Sequence, residues 1–172
     1  HPISFLSCSF SSNGYDQRWD MAGNALALLM NLNEDVDQIT QYLAQLHLEF
    51  KHWMLPVFHP IIFQNDKDWY LLNSNYLYDF KNQPYHFHNG GSWPIFLGWL
   101  IIALNKHNEK LVPEQIFKQY EQLLSLESEP NFYEYYATDT LAYCGAKRLC
   151  FSAIGYIMMH SAFSNQLKTD IF

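Results

Sequence analysis

The sequence predicts an all-α fold in which buried inner helices alternate with outer helices that keep one face in water. Three observations support this prediction. Apolar residues recur at helical spacing in several segments. Some of these segments are apolar or small on nearly every side, whereas others carry a polar face opposite an apolar one. Prolines and turn signals separate the segments, so each helix has a recognisable start.

The first two predicted helices follow one another closely. Asp20 is predicted to cap the first helix, whose apolar positions are Ala22, Ala25, Leu26, Leu29 and Met30. Asn33 is predicted to cap the second helix, with Glu34 and Asp35 near its positive end. The apolar face of that helix comprises Val36, Ile39, Leu43, Leu46 and Phe50. The spacing in both segments is that of a helix with one buried face.

Residues 51–91 are predicted to form a long connection. The stretch contains Pro56, Pro60 and Pro84, many aromatic residues and the turn signals NDKD and NSN. A short strand around WYLLN, residues 69–73, is also predicted. Long loops in compact domains are usually functional, so this loop is expected to lie at a site.

Three more helices are predicted in the second half of the chain. Ser92 is predicted as an N-cap, with Pro94 in the first turn of a buried helix that runs from Trp93 to about His107. Pro113 is predicted to begin an amphipathic helix, and residues 147–163 a final, mostly apolar one. The apolar face of the amphipathic helix comprises Ile116, Phe117, Tyr120, Leu123 and Leu124.

Composition narrows the function classes. The 172 residues suit one domain or a piece of a larger one, and their formal net charge of −7 without any basic run argues against nucleic-acid binding. The longest apolar run, 93–104, is too short to cross a bilayer, which argues against a membrane partner. Three cysteines without metal-type spacing favour reduced thiols and a cytoplasmic location. Aromatic residues make up 17%, which suits either a large aromatic core or a sugar site.

Three short stretches contain the candidate binding and catalytic residues. In YHFHNGGSWP, residues 85–94, histidines and an amide alternate with rings ahead of a helix, which suits a hydroxyl-rich ligand as well as a simple turn. In NFYEYY, residues 131–136, Glu134 stands among four rings, as a catalytic carboxylate or as an exposed side chain. In YDQRWDMAGN, residues 15–24, Asp16, Arg18 and Asp20 surround Trp19, as an aromatic platform with a fixed arginine or as an ordinary salt bridge plus a helix cap. Two histidines alone do not make a metal site, so none is predicted.

These motifs, in this order, resemble the C-terminal part of the neutral/alkaline invertases, glycoside hydrolases that split sucrose. The family pattern D-x-R-W-x-x-x-G-N is matched by Asp16, Arg18, Trp19, Gly23 and Asn24. H-N-G-G-S-W-P is matched without change at residues 88–94, and E-Y-Y at 134–136. The late W-S-I-A-G-Y is matched in part, at Ser152, Gly155 and Tyr156. The resemblance extends from about Gly14 to Met159.

The resemblance implies an (α/α)6 barrel of inner and outer helices with long active-site loops, and an inverting mechanism without a cofactor. Glu134 matches the catalytic base. The general acid belongs to the N-terminal half of the family, which is expected to lie outside residues 1–172. The residues that match the motifs, and are therefore implied to bind the carbohydrate substrate, are Asp16, Arg18, Trp19, His88, Asn89, Trp93 and Tyr135.

The sequence departs from the family pattern at several positions near the expected pocket, among them Tyr133, Leu149 and Phe151. The substrate is therefore predicted to be sucrose or a related glycoside. Two other functions remain open, namely a non-catalytic carbohydrate-binding protein and a purely structural helical module. The chain alone is expected to be inactive and to expose an apolar face, through which it can form homo-oligomers.

Overall fold

The computed structural model describes residues 5–11, 14–32, 35–74 and 78–164. Within these ranges the chain is mostly helical, with short two-stranded sheets between the helices. The helices are α1 (Met21–Leu29), α2 (Val36–Phe50), α3 (Trp69–Ser74), α4 (Pro94–Lys106), α5 (Leu111–Ser125) and α6 (Cys150–Phe163). The strands are β1 (Ser9–Ser11), β2 (Gly14–Asp16), β3 (Trp19–Asp20), β4 (Phe58–His59), β5 (Tyr135–Tyr136) and β6 (Tyr143–Cys144).

Helix α4 is the centre of the core. It packs against α1, α5 and α6, and most of its side chains are buried. Leu97, Leu100, Ile101 and Leu104 are fully buried, which accounts for the lack of a polar face in this segment. The prediction of a buried helix over residues 93–104 is therefore confirmed, whereas its place as an inner helix of a barrel stays a prediction.

Helices α4 and α6 approach closely through glycines. A Cβ atom on Gly98 would lie 2.9 Å from the carbonyl oxygen of Gly155, and one on Gly155 would lie 2.5 Å from the carbonyl oxygen of Pro94. Ordinary side chains at these positions would force the two helices apart. The small residues in the last helix thus set the distance between α6 and the core.

Helices α2 and α5 each bury one face and expose the other. Ile39, Leu43 and Leu46 form the buried face of α2, and Ile116, Tyr120 and Leu123 lie on that of α5. These are the faces that the apolar spacing predicts. A mostly helical chain is confirmed, and α4 is buried while α2 and α5 are amphipathic. Helix α6 departs from the predicted alternation because it buries only Ser152, Gly155 and Met159, and a closed ring of helices stays a prediction.

Three antiparallel strand pairs connect the helices. β1 pairs with β2, β3 with β4, and β5 with β6. In the second pair Trp19 lies opposite His59, and in the third Tyr135 lies opposite Cys144. The second pair thereby brings the long connection next to the start of α1.

Several predicted boundaries need correction. WYLLN is helical, as α3, because hydrogen bonds such as Leu72 N–H to the Asp68 carbonyl form instead of a strand ladder. Ser92 is not the cap of α4; Trp93 occupies that position, because Ser92 forms a backbone bridge to Tyr136. The final helix begins at Cys150 rather than at residue 147.

The other helix starts agree more closely with the sequence. The Asp20 side chain accepts a hydrogen bond from Ala22 N–H at 3.1 Å, so the predicted cap of α1 is confirmed. The proposed cap Asn33 lies outside the described residues, and Asp35 caps α2 in the structure. Helix α5 begins at Leu111, two residues before Pro113. No helix among the described ranges is long and apolar enough to cross a membrane.

Candidate active site

The loop that precedes α4 and the segment that carries Glu134 are joined by backbone hydrogen bonds. Ser92 N–H donates to the Tyr136 carbonyl, and Tyr136 N–H donates to the Ser92 carbonyl, both at 2.8 Å. The Thr138 hydroxyl donates to the Gly90 carbonyl at 2.7 Å. Two motifs that are far apart in the sequence therefore meet in one place.

Three rings stack where these segments meet. The His88 and Trp93 rings are parallel within 4°, with centroids 4.8 Å apart. Trp93 in turn stacks on Tyr135 at 5.6 Å and 18°. The indole N–H of Trp93 donates to the Phe87 carbonyl at 3.0 Å, which fixes the middle ring. We call His88, Trp93 and Tyr135 the ring stack.

His88 presents the accessible edge of the ring stack. The residue as a whole is exposed, but its imidazole is shielded by the packed rings, and this desolvation lowers its pKa. The negative charges of Glu134 and Asp20 act in the opposite direction and raise the His88 pKa. A neutral imidazole can donate one hydrogen bond and accept another, as recognition of a sugar hydroxyl requires.

Glu134 is half-buried and held by the turn that follows β6. Its Oε2 accepts a hydrogen bond from Ala146 N–H at 3.0 Å. Its own N–H donates to the Ala146 carbonyl at 2.9 Å. Among the described residues no hydrogen bond reaches Oε1, so this oxygen is free to accept a proton from water or from a ligand.

Tyr135 has its hydroxyl beside two further polar groups. The hydroxyl lies 3.4 Å from His86 Nδ1, and the Cys144 sulfur lies 3.9 Å from the same nitrogen. Burial, together with Cys144, raises the pKa of Tyr135 to about 12. The phenol is therefore neutral at pH 7 and remains a hydrogen-bond donor.

Asp16 and Arg18 form a separate charged group with Asp68. Arg18 donates from one guanidinium nitrogen to Asp16 at 3.0 Å and from the other to Asp68. The hydrogen bond from Arg18 lowers the pKa of Asp68. These residues line a cleft of about 670 Å³, which is large enough for a small carbohydrate. Neither Glu134 nor any member of the ring stack lines this cleft.

Trp19 and Asn89 occupy structural positions. Trp19 is fully buried and packs against Phe5 and Tyr42. The Asn89 amide is buried and bonded to the backbone; its Oδ1 accepts from Ile62 N–H at 2.9 Å, and its Nδ2 donates to the Ile62 carbonyl at 2.8 Å. Direct sugar contact stays a prediction for both, and the geometry favours a supporting role.

The structure therefore groups some of the predicted residues and separates others. His88, Trp93 and Tyr135 lie together, with Glu134 directly before Tyr135 in the chain, whereas Asp16 and Arg18 line the cleft. No group of three or more His, Cys, Asp or Glu side chains suited to a metal ion occurs in the part of the chain that the structure describes.

Sequence reasoning missed three features of this region. Asp68 was noted only as part of the NDKD turn signal, whereas in the structure it forms the second ion pair of Arg18. Asp20 was predicted as a cap and as a neighbour of Asp16 and Arg18, whereas the effect of its charge on His88 was not predicted. For the turn at Gly145 and Ala146 the sequence offers only a single glycine, which does not indicate a contact with Glu134. All three depend on interactions between segments that are separated in the sequence, which local patterns do not reveal.

Comparison with known families gives a match over residues 4–166 to the family described as alkaline and neutral invertase. The match covers most of the chain, and the chain belongs to this family. The resemblance carried by the three motifs is thereby confirmed.

Two curated relatives support the assignment. The chain is 28% identical over 102 residues to alkaline/neutral invertase E, chloroplastic, of Arabidopsis thaliana, an alignment that covers 58% of this chain and 16% of the relative. It is 29% identical over 69 residues to neutral/alkaline invertase 3, chloroplastic, of Oryza sativa subsp. japonica, covering 40% of this chain and 11% of the relative. The alignments thus span only a small part of each relative's length.

Proposed function

We propose that the protein carrying this chain hydrolyses sucrose or a related glycoside, and that Glu134 is its general base. One observation carries the proposal. Glu134 is anchored through Oε2 by a backbone N–H, no hydrogen bond among the described residues reaches its Oε1, and its charge acts on His88 of the ring stack. A general base needs a fixed carboxylate with one oxygen available to a water molecule.

In the proposed reaction Glu134 removes a proton from water as the oxygen attacks the anomeric carbon of the sugar. A second carboxylic acid, supplied by another part of the protein, protonates the leaving oxygen. The attack occurs on the face opposite the leaving group, so the configuration at the anomeric carbon inverts. In such a pair the two carboxyl groups stand about 6.5–9.5 Å apart, which leaves room for the water.

The ring stack supplies the binding surface in this proposal. The exposed edge of His88 donates to one sugar hydroxyl and accepts from another because the imidazole is neutral. Arg18, Asp16 and the cleft around them bind a more distant part of the substrate. We further propose that α1 to α6 contribute to an (α/α)6 barrel, that no cofactor takes part, and that the protein is cytoplasmic.

The experiment compares the whole protein with its Glu134→Gln variant on sucrose and on related glucosides. Because an amide cannot take a proton from water, the variant is expected to fold normally and to lose about 10²–10⁴-fold in kcat. Proton NMR of the first product identifies the released anomer and tests inversion. Glu129→Gln is the matched control, since that exposed carboxylate makes only a surface ion pair with Arg148.

Equal rates for wild type and Glu134→Gln would remove Glu134 from the mechanism. If the wild type bound these sugars without cleaving any of them, the carbohydrate-binding alternative would replace the enzyme. If it neither bound nor cleaved them, the structural module would be the better description.

A further inference from the structure

The turn after β6 makes two reciprocal hydrogen bonds with Glu134. The N–H of Ala146 donates to Glu134 Oε2 at 3.0 Å, and the N–H of Glu134 donates to the Ala146 carbonyl at 2.9 Å. The backbone and the carboxylate of Glu134 are thus tied to the same residue. The β5–β6 pairing, in which Tyr135 lies opposite Cys144, brings this turn alongside Glu134.

Gly145 leaves the space that the Glu134 side chain occupies. Its φ of +74° is one that residues with a side chain rarely adopt. A Cβ atom at this position would overlap Glu134 Oε2 and lie 2.6 Å from Glu134 Cβ. Carbon atoms in packed contacts stand about 3.5–4.0 Å apart, so even one methyl group would displace the carboxylate or the turn.

We propose that Gly145 and the N–H of Ala146 are positioning residues for Glu134. The glycine provides the room and the N–H fixes Oε2, so the remaining oxygen is directed at the attacking water. This inference rests on the proposed function, because it assigns the turn a role in that reaction. A side chain with several rotatable bonds must be held in a productive geometry, and a 1 Å displacement can reduce a rate about 10²-fold.

The decisive experiment places Gly145→Ala in the whole protein. We expect kcat to fall about 10²-fold while KM changes little, because the base moves and the ring stack stays in place. Arg148→Ala is the matched control, since it removes an exposed side chain from the same loop and should leave kcat unchanged. Gly14 also has a positive φ, and the space around it is open. The Gly14→Ala variant therefore shows by how much backbone strain alone lowers Tm.

A double-mutant cycle separates positioning from general damage. In a Glu134→Gln background, Gly145→Ala should cause no further loss of kcat, because the group it displaces no longer acts as a base. An undiminished further loss in that background would show a merely structural effect and would overturn the proposal. If Gly145→Ala does not fold, Ala146→Pro, which deletes the N–H donor and keeps the glycine, replaces it in the same cycle.

The two proposals fail in different ways. A folded Gly145→Ala variant with wild-type kcat would overturn the positioning role without affecting the proposal that the protein is a glycoside hydrolase. A wild-type protein that cleaved no glycoside would overturn the proposed function and the positioning role together.

Discussion

At the scale of single residues, buried polar side chains hold the candidate site together. Asn89 and Thr138 make hydrogen bonds that tie the loop before α4 to its neighbours. His52 belongs to the same group, because its Nε2 bonds the Thr138 carbonyl at 2.8 Å. When one partner of such a buried hydrogen bond is removed, the other is left unsatisfied, and the stability of the protein falls strongly.

We predict that Asn89→Ala destabilises the protein by about 1–3 kcal/mol. The substitution leaves the buried N–H and carbonyl of Ile62 without their amide partner. Thermal or urea unfolding measures the change. Asn73→Ala, at an exposed position on α3, should change the free energy of unfolding very little, and an equal loss there would contradict the argument.

We also predict that acid destabilises the protein through His52. Burial lowers its pKa in the folded state, so the unfolded chain binds a proton more readily than the folded one. This contribution to stability is present above the ordinary histidine pKa of about 6.5 and is lost as pH falls through the lower folded value. Urea unfolding between pH 7 and pH 5 should show a smaller loss for His52→Gln than for the wild type. If the free energy of unfolding falls equally for both proteins over this pH range, His52 does not cause the acid destabilisation.

At the scale of elements, the close contact between α4 and α6 depends on Gly155. We predict that Gly155→Ala destabilises the protein by about 1–3 kcal/mol, because the added methyl group would meet the backbone of Pro94 and Ile95. Intrinsic helix propensity alone would favour alanine by up to about 1 kcal/mol. The sign of the measured change in the free energy of unfolding therefore shows whether the steric clash or the helix propensity is larger. Ile154→Ala, on the exposed face of the same helix, is the control.

Five of the six described helices, all except α3, were predictable because each repeats apolar residues at helical spacing. Asp20 caps α1 as the sequence predicts, and the burial of α4 follows from its uniform apolarity. The errors occur where contacts from distant segments decide. Ser92 is a good capping residue, yet its backbone bonds to Tyr136, and residues 69–73 form a helix next to the Arg18–Asp68 pair.

The site was predictable to a similar degree. Motifs pointed to Glu134, His88 and Trp93, and the structure stacks the His88 and Trp93 rings with Tyr135, the residue after Glu134. The same motifs could not show that Trp19 and Asn89 would be buried. A short motif records which residues occur together, whereas burial depends on the packing of the whole chain.

At the scale of the whole molecule, α6 leaves an apolar face exposed. Phe151, Ile154 and Ile157 are 41%, 48% and 60% exposed and recur every three residues along the helix. Burial of such a face against another surface is favourable by about 25 cal/mol per Å². We therefore predict that the isolated chain associates with itself as its concentration rises.

Sedimentation velocity tests this prediction. The double variant Ile154→Glu with Ile157→Glu should shift the chain toward the monomer. Leu48→Glu, which changes a single exposed leucine on α2, should not. A wild-type chain that stays monomeric over the whole concentration range would show that this face does not drive association.

The attachment points of the long connection determine where the family can vary in length. Val57 N–H donates to the Gly91 carbonyl, and Ile62 bonds the side chain of Asn89, so two points near the start of the connection are held against its end. Residues inserted between these points would shift the register beside the ring stack. Residues inserted at the exposed Tyr78 and Asp79, after α3 and before the buried Asn82, would leave these attachment points in place. Doubling the length of a loop costs about 0.6 kcal/mol, so natural insertions and deletions in this part of the invertases should concentrate near residues 78 and 79.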